Sequence, residues 1–142
     1  MDFEVQVKLA IYRQFAETGA GPSPGDVATR VGSDAESVLA TYDSLCAKRV
    51  LVLEDDRMTS PFSGVPTQHV VESDGTRYHA TCAWDALGIP AALRRPGTVL
   101  SRCAASREPL RMNVGIDGPG PSDWIFHRLV PAAHWWDDIV YT

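Results

Sequence analysis

The sequence predicts an α+β fold: an N-terminal winged-helix-like three-helix module, then a small mixed or antiparallel sheet with a helix starting at the Cys82 motif. Three observations carry this expectation. Apolar residues recur at helical spacing through the first third of the chain. Alternation of period two replaces that spacing after Val50 and again between Thr98 and Ile116. Gly, Pro and Asp-Gly punctuation separates the segments.

Taken in order, Phe3, Val7, Ile11 and Phe15 form a helical row that Gly19 and Gly21 end. Ser23-Pro24-Gly25-Asp26 reads as a serine cap with proline at the first helical position, opening a short helix that carries Val27 and Val31 and stops at Gly32. Ser33-Asp34-Ala35-Glu36 reads as a capping box. It opens a longer helix with Val38, Leu39, Tyr42, Leu45 and Cys46 on its apolar side. Val50 to Leu53, an acidic turn at Asp55-Asp56 and a returning strand read as a hairpin. Residues 1–60 are therefore expected to be the winged-helix-like domain, residues 61–76 a loop-rich linker, and residues 77–142 a second unit.

In that second unit, Arg77, Tyr78 and His79 suit a short strand before the helix at Cys82. Thr98 to Cys103 and Leu110 to Ile116 alternate around a turn at Ser106–Pro109, and Gly118-Pro119-Gly120-Pro121 reads as a hard turn. Trp124 to Val130 fits a strand or a short helix, and the residues leave both open. Ile139, Val140 and Tyr141 read as strand.

The net charge of −5 argues against a partner held by general attraction to phosphates. Residues 1–60 carry six basic and ten acidic side chains, and the third helix opens with Asp34 and Glu36, which would face phosphates. A winged-helix module of this charge reads as a scaffold, with nucleic acid not expected as a partner. No apolar run reaches membrane-spanning length, and the N-terminus lacks a basic segment followed by an apolar one. No membrane partner and a cytoplasmic location are the expectation. Cys46, Cys82 and Cys103 are widely spaced and odd in number, so they read as free thiols.

The candidate chemistry lies at Cys82 and Asp85, three residues apart at a helix start, where i,i+3 side chains are neighbours. Backbone N–H groups at a helix N-terminus favour a thiolate, which predicts a Cys82 pKa below the free value of about 8.5. A carboxylate one turn on opposes that shift when ionised, or exchanges a proton with the thiol when held in an apolar pocket. Trp84, Leu87, Ile89 and Leu93 offer apolar surroundings. A soft nucleophile beside a proton carrier suits cleavage of a bond between carbon and a soft metal; a buried cysteine with a capping aspartate is the plainer alternative. Cys46 and Cys103 read as core residues. His79 reads as a hydrogen-bonded or surface residue. His127 and His134 lack metal-ligand spacing, Asp137-Asp138 reads as a solvated pair, and Trp135 and Trp136 as packing.

Tyr78, Cys82-Ala83-Trp84-Asp85-Ala86-Leu87, Pro90-Ala91 and Ser101-Arg102-Cys103-Ala104-Ala105, with Pro109 and Val114, resemble the organomercurial lyase (alkylmercury lyase) family. The resemblance implies an alkylmercury-lyase-like core at 77–142 and protonolysis of the carbon–mercury bond of organomercurials, giving a hydrocarbon and Hg(II). It implies that Cys82 captures mercury as a thiolate, that Asp85 carries the proton, and that both contact the mercury product. Cys103 matches the family's structural cysteine. No organic cofactor is implied. An organomercurial is the implied substrate, and a mercuric reductase or a low-molecular-weight thiol, which would also assist coordination, is the implied mercury acceptor. The family's second catalytic cysteine follows a segment like LVPAAHWWDDIVYT, and no cysteine follows Cys103 here. The core therefore reads as incomplete at its C-terminus, either as a truncated product or as a natural short form. A non-catalytic winged-helix module that binds a thiophilic metal or small ligand, with a regulatory role, stands as the alternative.

Overall fold

The structure, a computed structural model, describes residues 1–54, 57–59 and 61–138. Its element order is α1 (Phe3–Thr18), α2 (Pro24–Val31), α3 (Ala35–Ala47), β1 (Val52–Glu54), β2 (Arg57–Thr59), β3 (Val70–Ser73), β4 (Thr76–His79), α4 (Ala83–Leu93), β5 (Gly97–Arg102), β6 (Pro109–Gly115) and β7 (Gly118–Pro119), with a 3-10 helix at Ala132–Asp137. The architecture is α+β. Strands β1 and β2 form a separate antiparallel hairpin, and the other five make one antiparallel sheet in the order β4-β3-β5-β6-β7.

The helices form where caps and periodicity place them. Ser23 and Asp26 cap α2 reciprocally, each side chain bonding the other's backbone N–H. At α3 the cap falls one residue later than expected: Asp34, not Ser33, accepts the Ser37 N–H at 2.8 Å. An aspartate can satisfy a first-turn N–H as well as a serine, and the geometry selects the residue whose backbone is extended. Val7, Ile11, Phe15, Val27, Val38, Tyr42 and Leu45 are buried together. Leu39, expected on the apolar face of α3, is 50% exposed because the buried stripe runs through Val38, Tyr42 and Leu45.

Residues 61–76, expected as a linker, include β3, which hydrogen-bonds to both β4 and β5. Its alternation spans only four residues between turn signals, too short to separate from loop by pattern. Asp74 and Gly75 make the β3–β4 turn with φ of 49° and 76°, the positive-φ pair that a tight hairpin needs. Gly118-Pro119, expected as a hard turn, pairs with Gly115 and Val114 as β7. Trp124 to Val130 forms neither strand nor helix. The acidic turn at Asp55-Asp56 and the strand expected at Ile139–Tyr141 lie outside the described residues.

Alternation along β3, β5 and β6 puts Val71, Val99 and Met112 in register on one face, with Tyr78 of β4 beside them. Helix α4 packs over this face through Ala86, Ile89 and Pro90. Helix α1 docks against the β4 side. The rings of Phe15 and Phe62 stack at 5.4 Å, Phe62 meets Tyr78 at 5.8 Å, and the Tyr78 hydroxyl donates to the Ala16 carbonyl oxygen at 2.7 Å. Arg95, after α4, donates to the same hydroxyl at 3.1 Å and pairs with Asp74. Gly19, with φ of 74°, ends α1 against β4 so closely that an added Cβ would overlap the Arg77 carbonyl oxygen. Gly19→Ala combines a left-handed backbone penalty with this clash, so it should destabilise the fold by about 2 kcal/mol or more. An unchanged urea midpoint for that variant would contradict the close docking of α1.

Candidate active site

The site is built where β4 hands over to α4. Ala80 donates its N–H to the His69 carbonyl at 2.8 Å and forms a bridge with Phe62, and Thr81 N–H bonds the Pro61 carbonyl at 3.1 Å. With its two predecessors pinned, Cys82 takes an extended conformation (φ −145°, ψ 177°) and becomes the N-cap of α4. Its carbonyl accepts the first helical bond from Ala86 N–H at 3.1 Å. The helix is held down by Ala86 and Ile89, both fully buried, while Trp84 points to the opposite side and is 54% exposed.

Cys82 and Asp85 meet. The thiol Sγ donates to Asp85 Oδ2 at 3.3 Å, and both residues are half-buried. Burial pushes the Cys82 thiol up to about 11, overturning the expected thiolate-favouring shift. The first-turn N–H groups of Asp85 and Trp84 do pull downward, but desolvation outweighs them and the Asp85 charge adds to the rise. Burial also raises the Asp85 carboxyl, with the Cys82 hydrogen bond acting against the rise. The pair thus rests with the thiol donating to the Asp85 carboxyl group, and burial disfavours the charged form of each. Such a pair exchanges a proton readily once one partner gains another ligand.

The other cysteines sit apart. Cys103, expected in the core, lies just past β5, half-exposed in the turn to β6; its N–H bonds the Glu108 carbonyl, and Ser106 N–H reaches its Sγ at 3.5 Å. The alternating pattern that suggested burial ends one residue earlier, at Arg102. Hydrogen bonds from Ser106 hold the Cys103 thiol below its ordinary pKa. Cys46 is half-buried on α3, and burial raises it. His79 is hydrogen-bonded, accepting the Thr67 N–H through Nδ1 at 3.2 Å. His127 is exposed, and His134 pairs with Asp137 at 3.0 Å. Among the described residues, no group of three or more His, Cys, Asp or Glu is arranged to hold a metal ion.

His69 escaped the sequence reading. Its Nδ1 lies 2.7 Å from Ser101 Oγ, and burial lowers its pKa. The pair is cross-strand, one step beyond the Val70–Leu100 register, so only sheet pairing reveals it. A groove of about 580 Å³ lies at the opposite end of the sheet, around Gly97 and Gly118, and a hollow of about 310 Å³ lies between α1 and α4. Neither is lined by Cys82 or Asp85.

A family model described as alkylmercury lyase matches residues 62–142. The chain belongs to the alkylmercury lyase family. An alkylmercury lyase of Bacillus cereus is 34% identical over 93 residues, 65% of this chain and 42% of that protein. One from Pseudomonas putida is 42% identical over 70 residues, 47% of this chain and 33% of that protein. The chain thus spans less than half the length of these curated relatives. The crystal structure of the mercury-bound form of MerB2 superposes with a TM-score of 0.64 at 20% identity, covering 83% of this chain and 60% of that one. At that identity the likeness shows the fold alone.

Alkylation of Cys82 in this family member, followed by peptide mass spectrometry, should show a pH midpoint near 11. Asp85→Asn removes a charge and an acceptor that both favour the thiol, so the midpoint should fall. A midpoint at or below the free-cysteine value would contradict the described burial.

Proposed function

We propose that the chain carries the proton-transferring pair of an organomercurial protonolysis site, with Cys82 and Asp85 as its reacting groups. In this reading Cys82 Sγ displaces the ligand on an organomercurial R–Hg–X. The sulfur–mercury bond forms, the thiol proton passes to Asp85, and X leaves as its anion. Asp85 then delivers that proton to the carbon bound to mercury. The carbon–mercury bond breaks, R–H departs, and Hg(II) stays between Cys82 and the ionised Asp85. Electrons balance without an oxidant, since the carbon–mercury pair becomes the new carbon–hydrogen bond.

The 3.3 Å contact between Cys82 Sγ and Asp85 Oδ2 is the observation that carries this reading. Burial of the pair supports it, because a carboxyl with a raised pKa holds a proton for a weakly basic carbon better than an exposed one. Family membership supports the substrate class. Soft sulfur prefers soft metal, so a low-molecular-weight thiol suits the role of Hg(II) acceptor, directly or toward a reductase. No cofactor is called on.

The same reading takes residues 1–60 as a winged-helix-like scaffold, 61–76 as the connection and 77–142 as the lyase-like core, with Cys103 structural. A cytoplasmic location goes with it; among the described residues no helix is long and apolar enough to cross a membrane.

Incubation with phenylmercury and excess thiol should release benzene from the wild-type chain. Cys82→Ser should reduce release by at least about a hundredfold, and Asp85→Asn should retain mercury on Cys82 while slowing release to a similar degree. Benzene release by Cys82→Ser at the wild-type rate would rule out the proposal.

A further inference from the structure

The three residues before Cys82 are held by the stretch from Pro61 to His69. Ser63 N–H donates to the His79 carbonyl at 2.7 Å, Ala80 N–H donates to the His69 carbonyl at 2.8 Å, and Thr81 N–H donates to the Pro61 carbonyl at 3.1 Å. Thr67 stands in the middle of these contacts. Its N–H donates to His79 Nδ1 at 3.2 Å. Its hydroxyl donates to the Ala80 carbonyl at 2.6 Å and accepts the His69 N–H at 3.2 Å. A hydroxyl carries one proton, and the Ala80 carbonyl is nearer than the His69 carbonyl, which lies at 3.0 Å. The Ala80 carbonyl and the Thr81 N–H belong to one planar peptide group. Thr67 therefore holds one end of that plane and Pro61 the other, one residue before Cys82. Ala80 itself is fully buried.

We propose that Thr67 is a positioning residue of the reacting pair: its hydroxyl fixes the Ala80–Thr81 peptide group, and through it the placement of Cys82 Sγ against Asp85. Cys82 is the N-cap of α4, the last residue with extended backbone before the helix. The direction in which the chain enters α4 therefore sets where its sulfur points. A peptide plane bonded at both its carbonyl and its N–H cannot swing without breaking one of the two. Released at the carbonyl it can turn, and Cys82 turns with it. A thiol contact of 3.3 Å to Asp85 Oδ2 weakens with small changes of distance and angle. The effect on turnover rests on the proposed lyase reading, but the effect on the Cys82–Asp85 contact does not.

The test follows that contact. Alkylation of the full chain across pH, with peptide mass spectrometry, gives a midpoint for each cysteine separately. Thr67→Val removes the hydroxyl at nearly constant shape. Thr67→Ala is the second variant, since it leaves room for water at the Ala80 carbonyl and burdens the fold less. Both should lower the Cys82 midpoint by about one pH unit, because a misplaced sulfur loses Asp85 interactions that favour the thiol, while Cys46 stays within about 0.3 unit. Thr67→Ser should keep the wild-type midpoint. In an Asp85→Asn background, Thr67→Val should move the midpoint by about half as much or less, since the group that Cys82 is set against has changed. A Cys82 midpoint unchanged in both variants overturns the proposal, as does a parallel fall at Cys46 in both or an equal shift in the Asp85→Asn background. Failure of Thr67→Ser to keep the midpoint overturns the assignment to the hydroxyl. Benzene release from phenylmercury should fall about tenfold in Thr67→Val and recover in Thr67→Ser. A wild-type chain that releases no benzene while the midpoints move as stated would count against the lyase reading and leave Thr67 standing.

Discussion

The contact between Cys82 and Asp85 depends on a competition that the helix terminus loses. The backbone N–H groups at the start of α4 offer partial positive charge to the sulfur, and in water that would favour the anion. Here the sulfur is withdrawn from water and faces a carboxylate, and desolvation outweighs the N–H groups. The result is a neutral thiol hydrogen-bonded to the Asp85 carboxyl group at 3.3 Å. A soft electrophile that binds sulfur changes the balance, because forming the new bond removes the reason for the sulfur to keep its proton.

That competition exists only because the sheet and α4 are locked together. Val71 and Val99, paired across β3 and β5, make the floor, and Ala86 and Ile89 seat the helix on it. The N-terminal helices contribute at a distance. Phe15, Phe62 and Tyr78 form a continuous aromatic contact from α1 to β4, and β4 leads within three residues to Cys82. The hydroxyl of Tyr78 ties three elements together, donating to α1 and accepting from Arg95 beyond α4. The helical module thus packs directly on the strand that leads to Cys82.

The aromatic residues of the C-terminal segment have a different character. Trp135 and Trp136 do act as packing, but against Trp84 and Arg49 on the surface rather than in the core.

Local chemistry in the sequence determined much of this protein. Helices α1 and α2 end where left-handed glycines stop them, α4 opens at Cys82, and Cys82 and Asp85 face each other because i,i+3 positions share a helical face. The family resemblance was legible for the same reason, since it rests on short motifs in order. What adjoins across strands was decided by tertiary structure. The role of β3, the His69–Ser101 pair, the exposure of Cys103 and the return of residues 121–138 to Trp84 all depend on partners far away in the chain. The direction of the Cys82 shift belongs with these, because desolvation is set by everything packed around a group and the residues beside it in sequence supply only part of that surrounding.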